Sequence, residues 1–359
     1  MSDSTILTYT EIDREAWSRL VQTSRTGTWF QSPEAYELFA SLPEMFTPFA
    51  FGVVGKPESD SGQIIEATLR GVCVGYVTKE KSRLRQFFTR RAIILGGPCL
   101  AEDATDEEVT ALLSTLNAQL STLNTPIYIE IRNFNDYSRW RGAIEAAGFS
   151  YQPHLNFHVD CTDKQKMWER LSDNRKRQIR KKPTPDPSLK GGEKEGKDVS
   201  EQDVREWYGI LQELYRTKVK TPLLPVEFFV QAYKQGVGQF LLIRHEGKII
   251  GGSMVVKSSD AVYEWYECGM NAAYKEQYPS VMATWAGMQY AHEQGCARYD
   301  MMGAGVPGVP YGVRDFKSEF GGTLVEHGRW LYVAKPWLYA IGKAGVEMLK
   351  NKIINLIRL

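Results

Sequence analysis

The sequence predicts an α/β (α+β) chain built as two tandem domains of one plan. Three observations carry this. The chain has 359 residues, more than the roughly 100–200 of a single domain. An amphipathic helix, a short turn and an apolar strand occur once near 106–131 and again, in the same order, near 280–302. Hydrophobic residues make up 43% and charged residues 24%, the balance of a soluble protein able to bury a sizeable core.

In the first half, Asp13 to Val21 has helical spacing, with Trp17, Leu20 and Val21 on the apolar side. Phe30-Gln31-Ser32-Pro33 opens a second helix, Ser32 as N-cap and Pro33 in the first turn, where proline's missing N–H costs nothing. Phe49 to Val54 and Glu66 to Val77 read as strands on either side of a polar turn, Gly55 to Gly62. The clearest helix is Asp106 to Leu123, whose Val109, Leu112, Leu113, Leu116, Leu120 and Leu123 share one face. Thr105 and Glu108 have capping-box spacing. After Pro126 comes the strand Ile127 to Ile131, then a helix ending near Ala147-Gly148.

In the second half, Phe240 to Arg244 and Ile249 to Val256 form a hairpin about His245-Glu246-Gly247-Lys248, and Ala261 to Glu267 is a third strand. A helix from about Ser280 to Glu293 stops at Gly295, and the strand Ala297 to Met302 follows. Pro183 to Gly196 is rich in proline, glycine and charge, too polar to order itself by burial, and is read as a flexible surface insertion. The expected domains are 1–160, 161–335 with the insertion at 183–198, and an amphipathic C-terminal helix, 336–359.

Composition excludes several functions. A net charge of +1 argues against a strongly basic nucleic-acid binder, while local basic patches remain open. The five cysteines are scattered without a C-x-x-C pair, which argues against a zinc site or disulfide framework and for a reduced, cytoplasmic setting. The five histidines lack metal-ligand or triad spacing, so no metal is expected. No phosphate-loop or dinucleotide fingerprint occurs. Neither a signal peptide nor a membrane-spanning run is visible.

The chemistry is expected where Tyr299-Asp300-Met301-Met302-Gly303-Ala304-Gly305 leads through Tyr311-Gly312-Val313-Arg314-Asp315-Phe316-Lys317 to Phe320-Gly321-Gly322. It reads as a strand end, a glycine-rich turn, a short helix and a glycine stop. Glycines let backbone approach a ligand closely, and an aromatic, an arginine, an aspartate and a lysine arrive within a few residues. A helix from Gly312 to Phe320 would bury Val313, Phe316 and Phe320 and leave Lys317 at the border of that face. A basic helix carries Arg175, Lys176, Arg177, Arg180, Lys181 and Lys182, six cations without interleaved acids that phosphates of a ligand would neutralise. A second basic cluster, Lys79, Lys81, Arg83, Arg85, Arg90 and Arg91, surrounds Phe87-Phe88. The C-terminal helix sets Leu338, Ile341, Leu349, Ile353 and Leu356 against Lys343, Lys350, Lys352 and Arg358, a pattern that fits either packing on its own domain or a peripheral contact with the inner face of the plasma membrane.

In these features the chain resembles the FemABX family of aminoacyl-tRNA-dependent peptidyl transferases. The matching residues are Phe30-Gln31-Ser32-Pro33, the basic helix Asn174 to Lys181, Tyr278-Pro279 with Trp285, Tyr299-Asp300, Gly303, Gly305, Phe316-Lys317 and Phe320-Gly321-Gly322. The resemblance implies two tandem GNAT-like (acetyltransferase-like) domains and transfer of an amino acid from aminoacyl-tRNA to an amine of a nucleotide- or lipid-linked muropeptide, with no cofactor beyond the charged tRNA. It implies a catalytic role for Lys317. The chemistry of acyl transfer suits that lysine to stabilising the oxyanion of the tetrahedral intermediate, and Asp315 to accepting a proton or orienting the amine. Phe316, Arg314, Tyr311, Gly303, Gly305, Tyr266, Arg175 and Lys176 are the expected substrate-binding residues. Lys218 and Lys220 join them, near the place where the family often has an arginine before a Tyr-Phe pair, here Phe228-Phe229. Where the family has a lysine for acceptor phosphates, this chain has Phe39. Two alternatives remain: an N-acyltransferase using acyl-CoA or another carrier on the same fold, and a non-catalytic protein that binds RNA or a wall precursor. The usual CoA diphosphate motif has no counterpart in Gly269 to Tyr278.

Overall fold

A computed structural model describes residues 5–55, 68–123, 126–181, 199–219 and 222–345. In chain order its elements are β1 (Thr5–Thr8), α1 (Arg14–Thr23), α2 (Pro33–Ala40), β2 (Phe46–Val54), β3 (Leu69–Thr78), α3 (Arg83–Thr89), β4 (Arg91–Gly96), β5 (Cys99–Leu100), α4 (Asp106–Leu123), β6 (Tyr128–Asn133), α5 (Arg141–Ala146), β7 (Ser150–Gln152) and β8 (Leu155–Asp160). Then come α6 (Lys164–Arg170), α7 (Asp173–Arg180), α8 (Glu201–Leu214), α9 (Val226–Lys234), β9 (Gln239–His245), β10 (Lys248–Ser258), β11 (Ala261–Gly269), α10 (Pro279–Glu293), β12 (Arg298–Gly303), α11 (Gly312–Ser318), β13 (Thr323–Glu326) and β14 (Arg329–Val333). Residues 336–345 are helical. The expected insertion at 183–198, and the C-terminal helix beyond 345, lie outside the described residues.

The chain divides into two compact units, Met1–Gln152 with His327–Leu359, and Pro153–Glu326. The first unit's sheet runs β1-β2-β3-β4-β6-β14-β7, with β5 beside β3; the second runs β13-β8-β12-β11-β10-β9. Each has one parallel pair, β4 with β6 and β11 with β12, bridged by a crossover helix, α4 or α10. The repeated plan expected from the sequence is therefore present.

The boundaries differ from 1–160, 161–335 and 336–359. β8 directly follows β7, yet it pairs with β12 and β13 of the second sheet. β14 follows β13, yet it pairs with β6 and β7 of the first. The second unit is therefore one contiguous stretch that begins just before β8, and only the first sheet is completed by a strand, β14, from beyond the other unit. Hydrogen-bond pairing decides membership, and pairing leaves no mark in the linear order of residues.

Local chemistry explains the elements that position the site. In α4, Val109, Leu112, Leu113 and Leu116 are fully buried on the first sheet, each worth about 2 kcal/mol relative to exposure. The Glu108 N–H donates to Thr105 Oγ1 and the Thr105 N–H to Glu108 Oε2, closing the expected capping box. Ser32 Oγ accepts the Ala35 N–H, with Pro33 in the first turn of α2. Gln31 is structural: its buried side-chain amide donates to the Val74 and Leu95 carbonyls at 2.9 and 2.8 Å and accepts the Val74 N–H at 2.7 Å. It bridges β3 and β4, which pair directly only at Tyr76–Ile93 and Val77–Ala92. Phe39 packs in the core against Phe46 and Tyr76, so that position holds no phosphate contact.

Candidate functional site

The two parallel pairs differ where it matters. In the first unit β4 and β6 stay paired over six residues, from Arg91–Tyr128 to Gly96–Asn133. In the second unit β11 and β12 pair over three, ending at Tyr263–Asp300, although β11 continues to Gly269 and β12 to Gly303. Beyond Asp300 the strands part. Backbone groups along such an opening need other partners.

Lys317 supplies them. Its Nζ donates to the carbonyls of Met301 and, at 2.9 Å, Gly303. Met302 between them is left-handed, with φ of 57°; its N–H is held by Asp300 Oδ1 at 2.7 Å, and the register against β8 slips there. The kink turns both carbonyls toward the ammonium. Lys317, not Val313, occupies the buried side of α11: Val313 is exposed, Phe316 half-buried and Phe320 buried. An ammonium has three donors. Two serve these carbonyls.

Acids balance this cation. Glu264 Oε1 accepts from Tyr299 Oη at 2.8 Å and Thr284 Oγ1 at 3.0 Å. A Cβ at Gly287 of α10 would stand 2.2 Å from the Tyr299 hydroxyl, so only glycine lets the phenol lie against that helix. Burial pushes the Glu264 carboxyl up, opposed by Lys317 and both hydroxyls. Glu267 is pushed up to about 8, by burial first and then by Glu264, against the Ser280 hydroxyl and Lys317; its Oε1 is buried without a hydrogen-bond partner. Burial pulls Lys317 down, while Glu264, Asp300 and Glu267 hold it up. Asp300 Oδ2 lies 3.1 Å from His158 Nε2 of β8.

Three residues apart, Glu264 and Glu267 would face opposite ways in a regular strand. Here Val255 opposes Glu264 and Met254 opposes Tyr266, leaving Trp265 as an extra residue. This β-bulge turns both glutamates to one face. The same bulge sends Tyr266 to the other face, where it meets Phe229 at 4.8 Å between ring centroids; Tyr266 is not brought to the Lys317 cluster.

The other expected residues are placed as follows. Asp315 is exposed on α11, about 200° around the helix from Lys317. Arg314 is structural: its guanidinium donates to the carbonyls of Ala304 (2.8 Å), Val306 (2.5 Å) and Val309 (3.0 Å), shaping the turn. Gly305 has φ of 80° and its missing Cβ makes room for the Tyr311 ring. Gly303 contributes a carbonyl. Tyr311 is exposed at the head of α11. Arg175 points inward, over Phe316 and Phe320 at 4.6 and 5.1 Å, with Nη2 3.4 Å from Glu319, and ties α7 to α11. Lys176 Nζ donates to the Glu169 carbonyl. The outer cations Lys176, Arg177, Arg180 and Lys181, with Asp173, line a shallow cavity of about 360 Å³. Lys218 is exposed in a π-helical turn; Lys220 lies outside the described residues.

The start of α10 is already occupied. Tyr278 caps it in a left-handed conformation, the Ser280 N–H donates to Asn271 Oδ1 at 3.2 Å, and Asn271 Nδ2 donates to Ser280 Oγ at 2.7 Å. Sequence reasoning missed Glu264, Glu267 and Thr284. The available signal was two acids in the aromatic strand Tyr263-Glu264-Trp265-Tyr266-Glu267. Among the described residues no cluster of acids, histidines or cysteines is arranged to hold a metal ion.

Comparison with known proteins agrees with this architecture. Residues 172–318 match the family model of the acetyltransferase (GNAT) domain. The second unit thus carries a GNAT-type domain, and the first unit repeats its plan. Among solved structures it is similar to FemX, at 13% identity and a TM-score of 0.66, over 94% of this chain and 99% of that one. It is also similar to the C-terminal domain of a putative lysylphosphatidylglycerol synthetase from Agrobacterium fabrum, at 11% identity and 0.50 over 92% and 95%. L-PGS from Bacillus licheniformis gives 12% identity and 0.50 over 94% and 97%. No curated protein matches the sequence. The fold is FemABX-like, two tandem GNAT-like domains.

Proposed function

We propose that this protein is an aminoacyl transferase that moves an amino acid from aminoacyl-tRNA to an amine of a nucleotide- or lipid-linked muropeptide or a related cell-envelope acceptor. The observation that carries the reading is the opening between β11 and β12, with the Lys317 ammonium and the Glu264–Glu267 pair on its walls. The likeness of the whole fold to FemX supports acyl transfer in general, and the resemblance of the Phe316-Lys317 and Phe320-Gly321-Gly322 motifs to the FemABX family favours an amino-acid donor.

An aminoacyl ester is already activated, so positioning and charge stabilisation dominate. The third Lys317 donor meets the oxygen that becomes negative as the amine adds to the carbonyl. The carbon–nitrogen bond forms, the bond to the ribose oxygen breaks, and the amine proton passes to that oxygen. Glu267, its carboxyl pushed up to about 8 by burial, is suited to carry it. Asp315, on the exposed side of α11, is the weaker candidate for that task. The cations of α7 are the expected contact for donor phosphates.

Acyl-CoA transfer is the second reading, favoured by the GNAT match. The Asn271 side chain at the head of α10 counts against it, because it occupies an N–H that would otherwise cradle a diphosphate. The test offers charged tRNA and, separately, acyl-CoA to the purified protein with a muropeptide acceptor. Product from tRNA alone supports the proposal; product from acyl-CoA alone overturns it.

A further inference from the structure

In the first unit, two short helices share an uncovered apolar face. Leu84, Phe87 and Phe88 of α3 and Trp337 and Ile341 of the helix at 336–345 are each between 47% and 71% exposed. Phe87 meets Phe88 at 5.0 Å and Trp337 at 6.2 Å between ring centroids, so they form one patch. The helix at 336–345 has a separate anchoring face: Leu338 is buried and Tyr339 packs edge-on against Tyr128 at 5.5 Å. Trp337 and Ile341, one turn apart, are therefore surplus to its packing. Large aromatics gathered on a surface mark a partner rather than chance exposure.

The surroundings are basic. Residues 79–91 hold six cations and one acid, Glu80, and residues 335–345 hold Lys335 and Lys343 and no acid. Lys81 and Lys343 are exposed and Lys335 half-buried. We propose that this face docks on an anionic lipid bilayer, the rings entering the headgroup–acyl boundary and the lysines meeting lipid phosphates. Aromatic side chains prefer that boundary, and cations beside it add to the attraction. A second copy of this chain fits less well, because a two-fold contact through the patch sets lysines against lysines. The inference does not rest on the acyl-transfer reading.

The test is flotation of the full chain with vesicles of neutral lipid or neutral lipid with about one-third phosphatidylglycerol. Each cation at an anionic surface multiplies binding by roughly five-fold. The chain is expected to float with the anionic vesicles and to lose most of that binding at high salt. Phe87→Ser/Trp337→Ser, both at exposed positions, is expected to lose at least ten-fold with an unchanged melting temperature. Lys335→Glu/Lys343→Glu is expected to lose binding selectively on anionic vesicles. Absence of binding by the parent chain overturns the proposal, as does binding by both variants as strong as the parent's. So does a dimer that depends on Phe87 and Trp337 without vesicle binding, or binding that appears only after residues 346–359 are removed.

Discussion

Lys317→Met is the most informative single change. The substitution keeps most of the side-chain volume and removes the ammonium, so the Met301 and Gly303 carbonyls lose their donor. A buried hydrogen bond from a charged donor contributes about 1.5–3 kcal/mol. Two at the lower end give about 3 kcal/mol. Two further effects act in opposite directions: methionine avoids the cost of burying a charge, and Glu264, Asp300 and Glu267 lose the cation they surround. The expected loss is therefore about 2–4 kcal/mol, or roughly 5–15 °C in melting temperature for a unit of this size. Thermal unfolding by circular dichroism measures it. The double variant Glu264→Gln/Lys317→Met should be less destabilised than the two single changes added, since neutralising the acid relieves the unpaired charge. A melting temperature within about 1 °C of the parent would refute the carbonyl-bridging role. If tRNA-dependent transfer were nevertheless abolished, Lys317 would be purely catalytic.

Three other outcomes are expected. Glu267 has a carboxyl raised to about 8, so the folded state holds its proton more tightly than the unfolded state; its stability contribution is full below about 4.5 and is lost as pH rises through 8, at no more than about 1.4 kcal/mol per pH unit. Glu267→Gln should flatten that part of a urea-denaturation pH profile and, if Glu267 carries the amine proton, remove the corresponding limb of the transfer rate. Glu130 shows the opposite sign: burial raises its carboxyl, but Arg132 and Arg329 outweigh that and bring it down to about 2, so its stabilisation is present above about 4.5 and fades as pH falls toward 2. Glu130→Gln should weaken the acid dependence of unfolding. Gln31→Ala removes three buried hydrogen bonds between β3 and β4 and should cost about 3 kcal/mol by denaturant titration; an unchanged midpoint would show that water replaces the amide.

How much of this was legible depended on the range of the interaction that fixes each feature. α4 was readable to its last residue because its apolar spacing and its cap are both local. The helix start at Ser32-Pro33 was readable for the same reason, while the bridging role of Gln31 required two strands more than forty residues away. Hydropathy, which scores side chains alone, puts Val313 inside and Lys317 at the margin. The carbonyls of Met301 and Gly303 reversed the order by offering an ammonium partners inside. Strand alternation separates Glu264 from Glu267 in the sequence pattern, and only the slip at Trp265 brings them together. Arg175 was grouped with its neighbours on charge; burial against Phe316 and Phe320 sets it apart.

The return of β14 to the first sheet has a consequence for how the chain is made. The first sheet has a gap between β6 and β7 until β14 arrives. On a ribosome, Val333 emerges roughly 180 residues after Gln152, which at about 5–20 residues per second is on the order of 10–40 s. During that interval the open edges of Tyr128–Asn133 and Ser150–Gln152 are templates for any extended peptide. The second sheet already has β8 when β12 and β13 are synthesised, so it can close first. The nascent chain thus finishes its later half before its earlier one, and a nascent-chain chaperone has its longest work at the N-terminal half.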